Sequence, residues 1–153
     1  MKPIKALKMR NADPGKYYWR IRCTARGGGS VYVIGEIEWI ATAGGSDITP
    51  VLSGTDARVI ASSYYTTINY FPWKAYDSAG GSWANDPSDP TNPWIGWNFG
   101  SPQPIYSVKL TGTNGFQNPS GFDVQYSADG STWTTAKSFT YTWSGSETVE
   151  FVL

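Results

Sequence analysis

The chain has 153 residues, enough for one domain with its own hydrophobic core. Its 17 glycines, 10 prolines and aromatic fraction of 16% are typical of short strands joined by turns. The single cysteine excludes an internal disulfide, and the lack of histidine removes the commonest general base and the commonest zinc ligand.

The first segment, residues 1–16, shows no clear periodicity and is predicted to be a basic arm. Residues 1–26 carry eight Lys/Arg and one acid, whereas residues 27–153 carry four Lys/Arg and eleven acids. Opposite charges attract, so the arm either folds back on its own domain or docks on a neighbouring subunit. Nucleic acid is disfavoured as a partner, because the acidic body repels phosphate. The arm lacks the apolar core of a secretory signal, and no apolar run is long enough for a membrane span.

Two strands are predicted within residues 17–42. In YYWRIRCTAR, Trp19, Ile21 and Cys23 alternate with polar residues, and in VYVIGEIEWIAT apolar residues alternate with glutamates. The glycines at 27–29 separate the two runs, so we expect a hairpin. Cys23 is predicted to be a small core residue rather than a nucleophile, because no histidine is present to activate it.

The rest of the chain is predicted to form further short strands around one long irregular stretch. ARVIASSYY is predicted to be a strand, and residues 66–93 form the irregular stretch, whose length suggests a function. Strands follow in WIGWNFG, IYSVKLTGT, GFDVQYS, STWTTAKSFTYTW and ETVEFVL. Phe122 and Val124 alternate with polar residues, and Asp129-Gly130 predicts a tight turn. The predicted fold class is all-β, and the strand spacing suggests a sandwich.

Four motifs resemble the discoidin family, also called the coagulation factor 5/8 C-terminal or galactose-binding-like domain. They are ASSYY (61–65), KAYDSAGGSW (74–83), WIGWNFG (94–100) and FDVQYSADGSTW (122–133). The resemblance implies a jelly-roll β-sandwich over residues 17–153. YYWRIR (17–22) and VIGEIEW (33–39) resemble the segment that usually ends the domain, so the order here is circularly permuted. Permuted domains of this kind are similar to those of phage structural and tail-associated proteins, which implies a place in the virion.

The WIGWNFG motif poses the question whether its aromatic residues form an exposed surface or the inside of a sheet. The resemblance implies a core strand, in which Trp94 and Phe99 are buried and Gly96 lets neighbouring strands pack closely. Trp97 departs from the family pattern, which has a less bulky residue there, and Asn98 stands where the family prefers Asp.

The resemblance also implies ligand binding through loops at one rim of the sandwich. The candidate residues of the loop 64–93 are the aromatic Tyr64, Tyr65, Tyr70, Phe71 and Trp73 and the polar Asn69, Lys74, Asn85, Asp86 and Asp89. A sugar ring stacks on aromatic side chains while polar groups bond its hydroxyls, but the same aromatics would equally seal a protein interface.

Two functions therefore stay open. The first is a virion-associated module that recognises host-surface carbohydrate. The second is a structural virion component, such as a decoration, collar or baseplate-type protein, whose arm and aromatic loop contact neighbouring proteins. Either would act as a homo-oligomer or in many copies.

The resemblance further implies a structural calcium, for which Asp77 and Glu36 match two ligands. Ser78 replaces the glycine of the family motif, so the alternative is that Asp77 caps a turn and Glu36 faces water. Catalysis finds little support. Asp86 and Asp89 could form a carboxylate pair for glycoside cleavage, but DPSDP has the composition of a solvated turn. We expect a protein without enzymatic activity.

Overall fold

The computed structural model describes residues 15–66, 68–89 and 91–153, which form ten strands and two short 3-10 helices. The strands are β1 Tyr18–Arg26, β2 Val33–Ile34, β3 Glu36–Ile40, β4 Val59–Ala61, β5 Trp83–Ala84, β6 Trp94–Asn98, β7 Ser107–Thr111, β8 Pro119–Ser127, β9 Thr134–Thr140 and β10 Thr148–Val152. The 3-10 helices are Ile68–Tyr70 and Pro72–Tyr76. The all-β prediction is confirmed. Residues 1–14 of the predicted arm lie outside the described residues. Among the residues that are described, no helix is long and apolar enough to cross a bilayer.

The larger sheet has five strands in the order β4-β6-β1-β8-β9, and every pair is antiparallel. Strand β1 occupies its centre, where Trp19 lies opposite Trp97 of β6 on one side and Tyr126 of β8 on the other. A strand from the start of the chain is thus enclosed by strands made much later.

A second sheet, in the order β10-β7-β3, covers the other side of the core, and β2 pairs with β5. The predicted hairpin between the first two strands is wrong, because β1 and β3 belong to different sheets. The connection that carries the glycines crosses from one sheet to the other, and β2 finds its partner in the long loop instead. Strands β1 and β3 thus both pair with strands from distant parts of the chain.

One core lies between the two sheets and contains four tryptophans that are almost fully buried: Trp19, Trp39, Trp83 and Trp97. Alternation along the strands fills it, as predicted from the sequence. Cys23 is buried and free, and burial raises the pKa of its thiol, which confirms its role as a core residue.

Strand β6 answers the question about the WIGWNFG motif. Trp97 is 1% exposed and packs on Tyr76, with ring centroids 4.9 Å apart, and Phe99 is partly buried against the same core. Trp94, in contrast, is half-buried on the outer face, so the expectation that it is a core residue is wrong. Alternation places Trp94 and Trp97 on opposite faces of the sheet, and Trp97 is the one that packs in the core. Gly96 does allow close packing, as expected.

Basic side chains of β1 are bound by the sandwich itself. The Arg20 guanidinium lies 4.9 Å from the ring centroid of Trp94 and 3.9 Å from that of Trp133. Burial, with a smaller effect of the neighbouring Arg22 charge, lowers the pKa of Arg20 to about 10. Arg22 forms an ion pair with Asp123 at 3.1 Å. Part of the N-terminal positive charge is therefore matched within the same domain.

Candidate functional site

The aromatic residues of the long loop between β4 and β6 lie on two sides of that loop rather than in one cluster. Tyr64 contacts Phe71, with ring centroids 5.3 Å apart, whereas Tyr65 contacts Tyr70 at 5.9 Å. Consecutive residues of an extended segment point to opposite sides, so the two tyrosines separate although both are exposed, at 44% and 39%. The single predicted site is divided between two clefts.

The first cleft has a volume of about 210 Å³ and lies where three connections meet: β1 to β2, β4 to β6 and β7 to β8. We call it the tyrosine cleft, and its main lining residues are Ser30, Val33, Tyr65, Tyr70, Pro87 and Gln117. Within the part of the chain that the structure describes, no charged side chain lines it. Two aromatic rings beside a hydroxyl and a side-chain amide suit a neutral sugar ring.

Backbone hydrogen bonds hold the walls of the tyrosine cleft together. The Tyr65 amide donates to the Ala84 carbonyl at 2.8 Å, and the Val33 amide donates to the Gln117 carbonyl at 2.9 Å. Val33 also pairs with Ala84 in the small sheet. The three connections therefore form one tied unit, so a ligand would meet a largely formed cleft.

The second cleft has a volume of about 330 Å³ and lies beside β4. We call it the apolar cleft, and its main lining residues are Asp56, Val59, Tyr64, Phe71, Pro72 and Trp73. The one carboxylate among its described lining residues is already engaged, because Arg58 Nε and Nη2 donate to the two Asp56 oxygens at 3.0 and 2.6 Å. These hydrogen bonds lower the pKa of Asp56 to about 2. The remaining apolar surface suits an apolar side chain better than a sugar.

Asn85 has a structural place rather than an exposed one, which corrects the expectation that it offers hydrogen bonds to a ligand. It is fully buried, and its Oδ1 accepts from the Tyr32 amide at 2.6 Å. Its Nδ2 donates to the carbonyls of Asp86 and Asp89 at 2.8 and 2.7 Å. All the polar atoms of this side chain serve to fix the long loop.

The carboxylates of the two aspartates of DPSDP also accept hydrogen bonds from within the protein. Asp86 Oδ1 accepts from the Ser88 amide and hydroxyl, and these bonds lower the pKa of Asp86. Asp89 Oδ2 accepts from the hydroxyls of Ser62 and Ser63. Of the polar candidates, Asn69 is exposed but lines neither cleft.

The predicted metal ligands Glu36 and Asp77 lie close together, because the turn that follows Asp77 donates hydrogen bonds to both carboxylates. Glu36 Oε1 accepts from the Ser78 amide at 3.0 Å, and Asp77 Oδ1 accepts from the Ala79 amide at 2.9 Å. Ser78 adopts φ +49°, the left-handed conformation that the glycine of the family motif would take more readily.

The fit of these residues to calcium is incomplete. Buried Asp77 Oδ2 has no hydrogen bond, but the Lys74 ammonium lies 3.2 Å from it and already supplies a positive charge. Among the described residues, no group of three or more His, Cys, Asp or Glu side chains could hold a metal. Calcium takes about six to eight oxygens, so most would have to be backbone carbonyls. Calcium binding stays a prediction, and the clefts do not depend on it.

The ionisation of Glu36 is expected to make the free energy of unfolding depend on pH. Burial, with a smaller effect of Asp77, raises the pKa of Glu36 to about 7, against an opposing effect of the Ser78 amide. The folded chain thus binds this proton more tightly than the unfolded chain. The stabilisation is present below pH 4.5 and is lost as the pH rises through 7. In urea denaturation we expect Glu36→Gln to be more stable than wild type by about 1 kcal/mol at about pH 8, after solvent screening, and equal to it at about pH 4.

Glu38→Gln is the matched control on the same strand, since Glu38 lies 3.9 Å from the Lys109 ammonium and its replacement removes an ion pair. A gain from this control, or none from Glu36→Gln, would contradict the role given to Glu36. The same titration with calcium chloride tests the metal. A stabilisation of wild type that Glu36→Gln removes would establish a calcium site.

An antiparallel sandwich whose clefts are formed by its connecting loops is the architecture of ligand-binding β-sandwich modules, and this chain has that architecture. The family model of the F5/8 type C domain matches residues 58–153, and the chain belongs to that family. Members of the family are carbohydrate- or other ligand-binding modules and are generally non-catalytic. Comparison with curated proteins gives no match, nor does comparison with solved structures.

Sequence reasoning missed three polar or shaping residues of the tyrosine cleft: Ser30, Pro87 and Gln117. Each follows or lies within a turn-rich run, GGGS, DPSDP or NGFQNP. The composition of those runs predicts three loops, but only the fold shows that the three loops meet at one cleft.

Proposed function

We propose that the protein is a non-catalytic carbohydrate-binding module whose site is the tyrosine cleft. The observation that carries this proposal is the convergence of three connections on one cleft with two tyrosine rings, a hydroxyl, a side-chain amide and, among the described residues that line it, no charged side chain. A pyranose ring would stack its C–H face on Tyr65 or Tyr70, while Ser30 and Gln117 bond its hydroxyls.

The proposal includes the absence of enzymatic activity. The one carboxylate pair that the sequence brought forward, Asp86 and Asp89, accepts hydrogen bonds from neighbouring serines and lies in a turn. The lowered pKa of Asp86 disfavours a general acid, which needs a raised one.

We place the module on a phage particle, where it would meet host-surface glycans. The position of β1 supports this placement. It precedes the matched residues 58–153 but pairs with β6 and β8 from within them, as expected of a permuted domain. A single small cleft binds weakly, so many copies per particle would supply the avidity.

A second candidate function, a structural virion component, is favoured by the apolar cleft. Its exposed Tyr64 and its neighbours Phe71 and Trp73 offer an apolar socket that a neighbouring protein's side chain would fill. The two candidates thus correspond to the two sides of the long loop, which allows them to be tested separately.

Tyr65→Ala is expected to weaken glycan binding at least about tenfold, because the cleft loses one of its two stacking rings. Ligands would first be found on a glycan array with wild-type protein, and the affinity of each variant then measured by calorimetry.

Tyr64→Ala is the matched control, since it removes the same side chain one residue away on the opposite side of the loop. It should keep glycan affinity within about twofold. Loss with Tyr64→Ala and retention with Tyr65→Ala would move the site to the apolar cleft. A silent array would overturn the carbohydrate proposal in favour of the structural one.

A further inference from the structure

A third cleft, unrelated to any residue singled out above as a ligand contact, adjoins the tyrosine cleft at the same rim. Its volume is about 380 Å³. We call it the outer cleft, and the lining residues that matter are Gly27, Asn114, Phe116, Tyr141, Thr142 and Trp143. It repeats the chemistry of the tyrosine cleft, since aromatic rings stand beside hydroxyl and amide groups and none of the described residues that line it is charged.

The aromatic wall of the outer cleft is held in place by the sandwich. Trp143 is 9% exposed, and its Nε1 donates to the Pro119 carbonyl at 2.8 Å. Tyr141 packs edge-on against it at 5.1 Å, and its amide donates to the Ser120 carbonyl at 2.9 Å. Phe116 is 54% exposed on the other side. An exposed ring facing a fixed aromatic wall is suited to hold a flat, partly apolar ligand.

The two clefts share one wall, formed by contact between the glycine connection and the β7–β8 turn. Phe116 lines the outer cleft and the next residue, Gln117, lines the tyrosine cleft. On the facing side, Gly27 belongs to the outer cleft and Ser30 to the tyrosine cleft. A Cβ on Gly27 would lie 3.2 Å from the Phe116 carbonyl oxygen, so backbone meets backbone there. The two clefts are thus separated by a single peptide step at Phe116–Gln117 and by Gly28 and Gly29 on the facing side.

Resting on the carbohydrate function proposed above, we propose that the rim binds a neutral oligosaccharide, with one sugar ring in each cleft and the linkage crossing the Phe116–Gln117 wall. A monosaccharide would fill only one of the two spaces. A second ring would add stacking on Phe116 without a second loss of translational freedom, so affinity should rise with chain length. Sialylated or sulfated chains would be disfavoured, because the described lining residues of the two clefts offer no opposite charge to their anionic groups.

Calorimetry with neutral series of one to four units, built on glucose, galactose and N-acetylglucosamine, tests this inference. For the series that binds, we expect affinity to rise at least about tenfold between the monosaccharide and the longest member. Phe116→Ala, at an exposed position, should remove that rise. Thr142→Trp, which would obstruct the outer cleft from another exposed position, should do the same.

The failure of this inference and that of the carbohydrate function are distinguishable. If Tyr65→Ala abolishes binding but all chain lengths bind equally and Phe116→Ala has no effect, only the two-ring inference is overturned. Binding confined to charged glycans, or to peptides, would overturn it as well. If no sugar binds at any length, the carbohydrate function itself fails.

Discussion

Gly96→Ala is expected to destabilise the protein by about 3 kcal/mol, measured by urea denaturation. Gly96 lies opposite Arg20 at the centre of the five-stranded sheet. An added Cβ would overlap the Trp19 carbonyl oxygen and lie 2.7 Å from Arg20 Cβ. Strand β1 cannot move away, because β8 holds its other side. A single methyl group would therefore force two central strands apart.

Gly54→Ala is the control for this prediction, because no heavy atom lies within 4 Å of the Cβ that it would add. It should change stability by no more than about 0.5 kcal/mol. Equal stabilities of the two variants would refute the close approach of β6 to β1.

Asn85→Ala is expected to destabilise the protein by about 3 kcal/mol, because it removes the acceptor of the Tyr32 amide and one donor from each of two carbonyls of the long loop. Glycan affinity should fall with it, since the same loop carries Tyr65 and Pro87 to the tyrosine cleft. Urea denaturation and calorimetry measure the two effects.

Asn69→Ala serves for comparison, since Asn69 is exposed in the same loop. We expect it to be within about 0.5 kcal/mol of wild type. A loss of similar size in both variants would show that the loop tolerates neither change and that the buried network of Asn85 has no special weight.

Much of the strand pattern was predictable, because alternation is a local property. The buried faces of β1 and β8 and the burial of Cys23 follow from residues at spacing two. The Asp129-Gly130 turn follows from its two residues, and Gly130 does adopt φ +73°. The prediction of a β-sandwich came from the family motifs, and the match to the family model confirms it.

The arrangement of the clefts was not predictable, because it depends on contacts between distant residues. Tyr64 and Tyr65 are equivalent in the sequence, and only the path of the chain shows that they face apart. In the sequence, Asn85 has the pattern of a surface residue, and only the fold shows that it is buried beside the Tyr32 amide. The expected hairpin failed for the same reason, since β1 and β3 each find better partners far along the chain.

The central place of β1 has a consequence for biosynthesis. During translation the ribosome releases β1 long before β6 and β8 emerge, so its apolar face, with Trp19 and Ile21, has no partners in the meantime. Closing such long chain segments is slow. The nascent chain therefore exposes apolar surface until β6 and β8 have been synthesised. Chaperone binding and aggregation between nascent chains should be most frequent in that interval.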